Sequence, residues 1–155
     1  MRGGYGKAVP RSLTVRAGVT VRAAPERVWD LVVDWGRQGE WIWATHTTGG
    51  HGLGAHVSGR TGLGPIGFTD SMVITGWQPP LWCTVTHTGA VVRGDGSFEV
   101  VPRGDSCELR WTERIELPVP LPPALERAAL AVLAPLARLG LGSSLARFAR
   151  LATSA

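Results

Sequence analysis

The chain opens on an alternation. From Leu13 to Val21 the residues Val15, Ala17, Val19 and Val21 occupy every second position between polar or small neighbours, the period of a strand with one buried face. The period then lengthens. Through Pro25-Glu-Arg-Val-Trp-Asp-Leu-Val-Val-Asp-Trp35, Val28, Leu31, Val32 and Trp35 recur at helical spacing. Pro25 suits the first turn of that helix, and Glu26 complements its positive end. Gly36 and Gly39 break the pattern, which predicts a second short helix over Gln38 to Trp43.

Beyond Trp43 glycine and threonine become frequent, and short alternating runs are separated by turn residues. This is the pattern of an antiparallel meander, with strands expected near 44–48, 54–60, 68–77, 81–88, 91–101 and 106–117. Trp77-Gln-Pro-Pro-Leu-Trp82 reads as a turn, because Pro79 and Pro80 cannot donate to a ladder. Arg93-Gly-Asp-Gly-Ser97 reads as a bulge or kink within one long strand, and Val101-Pro-Arg-Gly-Asp-Ser106 as a hairpin turn.

The last third is helical. Pro122 and Pro123 start a helix carrying Leu125, Ala129, Leu130 and Leu133, which Pro135 should kink. Gly140 and Gly142 predict an interruption, after which Ser143 or Ser144 caps a final helix with a stripe of Leu141, Leu145, Phe148 and Leu151. The order is strand, two short helices, six strands, long C-terminal helix. Such a sheet, of about seven strands, has one apolar face that the short helices cannot cover. The final helix must lie across it, and a curved antiparallel sheet gripping a helix leaves a cavity between them. The expected class is α+β, as one domain over 12–155 behind a flexible N-terminal arm, 1–11.

Composition narrows the function. Of 155 residues, 44% are hydrophobic and 18% charged, which describes a well-cored globule. Seven Trp beside one Tyr suggest large rigid surfaces inside or around a cavity. The formal charge is +4, with much of the excess at the two ends, and no basic run interleaved with aromatics appears, so a nucleic-acid partner is not expected. The uncharged run Ala128–Ala137 falls short of the ~20 residues of a membrane span. No integral span is expected, and peripheral membrane contact stays open. Residues 1–11 lack an apolar segment after their charges, unlike a secretory signal. Cys83 and Cys107 stand in apolar strand contexts, where buried thiols in a reducing cytoplasm are favoured over a disulfide.

Two motifs invite a cofactor or metal, and neither is expected to hold one. His46, His51 and His56 lie five apart; extended chain turns His46 and His51 to opposite faces. A turn near His51 sets His46 opposite His56 but leaves His51 at the tip, with no nearby carboxylate or thiol to complete a zinc site. Gly62-Leu-Gly-Pro-Ile-Gly67 matches a dinucleotide fingerprint, but a strand follows it where a helix is required. It reads as a flexible loop near the cavity mouth.

Strand parity gives better candidates. In 106–117, Cys107, Leu109, Trp111, Glu113, Ile115 and Leu117 share the apolar face, which turns Glu113 inward. Phe68, Asp70, Met72 and Ile74 likewise share a face, as do Leu81, Cys83, Val85 and His87. Asp70, Glu113 and His87 are therefore the acid/base candidates; a bulge that flipped the parity would make them rim residues instead. Trp111, Met72, Phe98, Ile74, Trp29, Leu145 and Phe148 are the candidate ligand-binding walls.

The stretch from Val19 to Asp34, with its Ala-Pro-Glu-Arg-Val-Trp entry to the first helix, resembles the START-related polyketide cyclase/dehydrase and lipid-transport superfamily. Trp41, Ile74-Thr-Gly-Trp-Gln-Pro-Pro80 and Cys107-Glu-Leu-Arg-Trp-Thr-Glu113 look like that family too, so the resemblance spans roughly 12–151. It implies a helix-grip fold with a hydrophobic tunnel and a hydrophobic small-molecule ligand, without implying a shared catalytic set. A carboxylate and an imidazole in such a cavity could carry out aldol cyclisation and dehydration by general acid/base catalysis. The alternative is a non-catalytic carrier of lipid, quinone or another apolar ligand.

Overall fold

The computed structural model of the chain describes residues 11–116 and 121–154. The arm expected over 1–11 lies outside these residues except for Arg11, and the inward place expected for Leu117 lies outside them too. Seven strands form one antiparallel sheet: β1 (Ser12–Val21), β2 (Thr45–Gly49), β3 (His56–Leu63), β4 (Ile66–Gln78), β5 (Trp82–His87), β6 (Gly94–Arg103) and β7 (Ser106–Glu116). Their order across the sheet is β1-β7-β6-β5-β4-β3-β2, so β2 through β7 form a meander and β1 closes against β7. Two helices flank it, α1 (Pro25–Val32) and α2 (Pro123–Thr153), with a 3₁₀ turn over Trp35–Glu40. The long C-terminal helix against the curved sheet is the helix-grip arrangement.

The core lies where α1 and the second half of α2 meet the sheet. Val21, Val28, Val32, Leu109, Leu145 and Phe148 are fully buried there. Trp41, also sealed from solvent, packs edge-on against Phe148, Trp111 and Phe98, with ring centroids 5.0, 5.8 and 5.9 Å away. These edge-to-face contacts fix the aromatic wall behind the cavity.

Four local expectations give way. α1 ends at Val32, where the Val33 amide closes onto the Trp29 carbonyl, and Trp35 opens the 3₁₀ helix instead of ending α1. The second short helix therefore covers Trp35–Glu40, with Gly36 and Gly39 inside it. Gly94 begins β6 at φ 123°, and pairing then continues without a shift to Arg103, so 91–93 lie outside the strand. A Cβ on Gly94 would sit 1.8 Å from the Arg114 carbonyl oxygen, which leaves only glycine able to start this strand here.

The third difference is Gly62–Gly67, a tight hairpin in which Leu63 pairs with Ile66 around Gly64-Pro65. Gly62 and Gly67 face each other so closely that a Cβ on Gly62 would meet Gly67 Cα at 2.4 Å. The close approach of the two backbones, not looseness, explains the glycines. Finally, α2 runs unbroken from Pro123 to Thr153, through Pro135, Gly140 and Gly142. Ser143 does not cap a separate helix: its hydroxyl donates to the Gly140 carbonyl one turn back, and Ser144 is buried. Packing of Leu141, Leu145 and Phe148 against the domain overrides the two glycines. The result is one helix long and apolar enough to cross a membrane by length and composition, although its second half is built into the core.

Candidate active site

Between the inner face of the sheet and Gly140–Ser144 of α2 lies a cavity of about 340 Å3. That is the size of a small-molecule site. Its walls are mostly apolar, and none of the described residues lining it is Lys or Arg. β4, β5 and β7 direct Asp70, His87 and Glu113 into it, and β5 adds the Cys83 thiol.

Asp70, His87 and Glu113 meet. His87 Nδ1 lies 2.6 Å from Asp70 Oδ2 and His87 Nε2 lies 3.2 Å from Glu113 Oε2. The Trp111 indole N–H donates to the other Glu113 oxygen at 2.6 Å. All three side chains are largely withdrawn from water, at 7% exposure for His87, 13% for Asp70 and 16% for Glu113. Burial opposes a charge on the imidazole, yet the hydrogen bonds to Asp70 and Glu113, together with their charges, outweigh it and raise its pKa to about 9. At neutral pH His87 is a cation gripped at both ring nitrogens. Asp70 Oδ1 is buried without a hydrogen-bond partner among the described residues.

The parity holds for a physical reason. Ile74 pairs with Val85, and Gly76 pairs with Thr84, so the ladder slips one residue at Thr75. The slip lies beyond Asp70 and leaves the alternation Phe68, Asp70, Met72, Ile74 intact. It also brings Trp77 opposite Cys83, where its ring meets Trp29 at 5.0 Å.

The proposed walls divide. Trp111, Met72 and Phe98 line the cavity. Ile74, Trp29, Leu145 and Phe148 face the same interior but lie in the packed core, at 1%, 5%, 0% and 0% exposure, outside the cavity lining. They stand nearer the α1 end of the sheet, where helices already fill the space.

Five residues outside the candidate acid/base groups and walls also contribute. Thr45, Thr47 and Thr61 on β2 and β3 supply hydroxyls to the wall, and their alternate spacing was the available signal. Trp43 borders the cavity while 60% exposed, held by its indole N–H to Ser143 Oγ at 2.9 Å and by the Arg147 guanidinium 4.3 Å above its ring. Gly96 stands opposite Glu113, and a Cβ there would lie 2.8 Å from the carboxylate. A glycine inside a strand signals such a close approach.

The remaining candidates fall away from the chemistry. His46 is opposite Arg60, not His56, and both histidines are exposed on the outer face. His51 is not at a free tip: its Nε2 lies 2.9 Å from the Val33 carbonyl, and its ring stacks 6.0 Å from Trp35. Cys83 and Cys107 are free and buried, and burial pushes the Cys83 thiol up to about 12, which keeps it from acting as a nucleophile.

Residues 12–153 match the sequence model of the family described as polyketide cyclase / dehydrase and lipid transport. No curated protein matches the chain. Among solved structures, a Thermus thermophilus protein superposes with a TM-score of 0.70 at 21% identity, covering 92% of this chain and 100% of its own. The Zhui aromatase/cyclase from a Streptomyces species gives 0.69 at 14% identity, covering 92% of this chain and 94% of its own. Norcoclaurine synthase from Thalictrum flavum, solved with dopamine and hydroxybenzaldehyde, gives 0.63 at 14% identity, covering 97% and 92%. At these identities the likeness is one of fold.

Proposed function

The chain belongs to the polyketide cyclase / dehydrase and lipid transport family, and on that premise we propose that it is a cyclase/dehydrase-like enzyme acting on a compact, largely apolar carbonyl compound. The observation that carries this reading is His87, held between Asp70 and Glu113 in an apolar cavity.

Asp70 grips Nδ1 through the shorter bond and fixes the ring, so Nε2–H is the proton presented to substrate. A carbonyl or hydroxyl oxygen of the substrate inserts at the longer Nε2–Glu113 contact. Glu113, oriented by Trp111, removes the proton beside the carbonyl, and the enolate oxygen is stabilised by the imidazolium. In cyclisation the enolate carbon attacks a second carbonyl, whose oxygen takes the His87 proton. In dehydration the Nε2 proton leaves with the β-hydroxyl as water. Glu113 then returns its proton to Nε2 across their contact, and the cycle closes. With both thiols free, a reducing cytoplasm is the compartment we propose for it.

The test isolates the first step. Incubated in deuterium oxide with an N-acetylcysteamine thioester of a β-keto acid, the protein should accelerate deuterium entry at the carbon between the carbonyls. Glu113→Gln should abolish the acceleration, by a factor on the order of 10²–10⁴, while quenching of tryptophan fluorescence by the thioester persists. A carrier with no catalytic role predicts equal exchange in wild type, Asp70→Asn and Glu113→Gln; that result would remove the acid/base reading.

A further inference from the structure

α2 carries a second feature that the cavity chemistry does not use. At 100° per residue, Leu125, Val132, Leu136 and Leu139 fall within about 60° of one another around the helix. A stripe of this kind normally faces a core. Here it faces outward, with exposures of 59%, 60%, 59% and 70%. The inward side of the same helix carries Glu126, Ser144, Leu145, Phe148 and Ala152, so no rotation of the helix would bury both sets.

Charge is distributed unevenly along this outward line. It continues from Leu139 through Ser143 to Arg147 and Arg150. The carboxylate among the described residues of α2 is Glu126, buried at 6% and ion-paired with Arg11 at 2.7 Å. The line is thus apolar for four turns, then cationic, with no exposed anion in it. At the cavity mouth the pattern repeats. The β3–β4 hairpin shows Leu63 and Ile66 at 77% and 81% exposure with Arg60 beside them, and Phe68 of that hairpin lines the cavity together with Leu141 of α2.

We propose that the outward face of α2 and the tip of the β3–β4 hairpin dock on an anionic lipid bilayer, placing the cavity mouth at the membrane surface. The apolar stripe enters the boundary between headgroups and acyl chains, and Arg150 meets lipid phosphates, while Arg147 stays over Trp43 and donates to the Glu40 carbonyl. The helix lies on the membrane and does not span it, because Leu145, Phe148 and Ala152 of the same rod are locked in the domain core. An apolar ligand then enters from the lipid phase without crossing water.

The experiment sediments the full-length protein with sucrose-loaded vesicles and reads no turnover, so its outcome is separate from that of the proposed reaction. Vesicles of phosphatidylcholine with phosphatidylglycerol should carry the protein down at low salt, and added salt should release it. Arg150→Glu should weaken partitioning at least about fivefold. Leu136→Asp with Leu139→Asp should reduce it by roughly tenfold or more, with the far-UV circular dichroism unchanged. No sedimentation at low salt, or sedimentation untouched by the paired substitution, overturns the proposal. So does a dimer in vesicle-free solution that the same pair dissociates without any vesicle binding, which would give the face to a second copy of the chain. Retention on vesicles through an alkaline carbonate wash would mean spanning, and overturns it equally.

Discussion

Gly96 and Glu113 face each other across the β6–β7 pair, and the space left by the missing side chain of one holds the carboxylate of the other. A Cβ at position 96 would stand 2.8 Å from Oε1 and 3.0 Å from Oε2 of Glu113. Gly96→Ala should therefore push the carboxylate off His87 while sparing the fold, since the displaced atoms are the end of a flexible side chain. The expected result is a rate loss of roughly tenfold or more, with unfolding stability changed by less than about 1 kcal/mol. An alanine variant with full activity would show that Glu113 does not need this position.

The His87 environment makes a pH prediction. Its folded pKa, about 9, lies above the ordinary 6.5, so the native state holds this proton more tightly than the unfolded chain does. The stabilisation is complete below 6.5 and is lost as pH rises through 9. Its size is on the order of 3 kcal/mol. Urea midpoints should fall over that window in the wild type and fall less in Asp70→Asn, where Glu113 alone still raises the pKa. Nuclear magnetic resonance titration of the His87 ring should show the pKa lowered in the same variant; an unchanged value would contradict the geometry.

Activity should follow the same group. Because the imidazolium is the proton donor, turnover is expected to decline as pH rises through about 9. A rate that climbs through that range would assign the acid role elsewhere.

Core and cavity residues of similar type should separate cleanly. Phe148→Ala removes a ring with no solvent exposure that packs edge-on against Trp41, and should cost about 3–5 kcal/mol by urea denaturation. Met72→Ala borders space already empty, and should cost less while changing affinity for the thioester probe. Equal destabilisation by the two would mean that the cavity is filled by collapse in solution.

Trp43 should control access. It is 60% exposed, borders the cavity and follows no strand, with Ala44 beside it at φ 50°. Trp43→Ala is expected to leave stability within about 1 kcal/mol and to accelerate release of a neutral naphthylamine probe severalfold in stopped-flow fluorescence. Release at the wild-type rate would remove Trp43 from the entry route.

The sequence pattern disclosed which face each site residue would occupy, because strand alternation is fixed by backbone geometry wherever the ladder is regular. Asp70, His87 and Glu113 all stand on regular stretches, with the slip at Thr75 falling beyond them. Depth along the sheet has no such period, which is why Ile74 and Phe148 looked equivalent to Met72 and Phe98. Tertiary contacts also outweighed local signals. Gly140 and Gly142 sit in a continuous helix, and His51 turns back to the Val33 carbonyl instead of projecting from its hairpin. The Gly96 approach was written as a strand glycine, but its partner could be known only once register was.

α2 passes from the outward apolar stripe, through the cavity wall at Gly140–Ser144, to the buried Phe148 without a break. At 1.5 Å per residue its 31 residues make a rod about 46 Å long. Such a rod acts as a lever with its fulcrum in the aromatic cluster. Leu125 to Leu139 and the cavity wall at Gly140–Ser144 are thus one piece of helix, and its anchor is the buried pair Leu145 and Phe148.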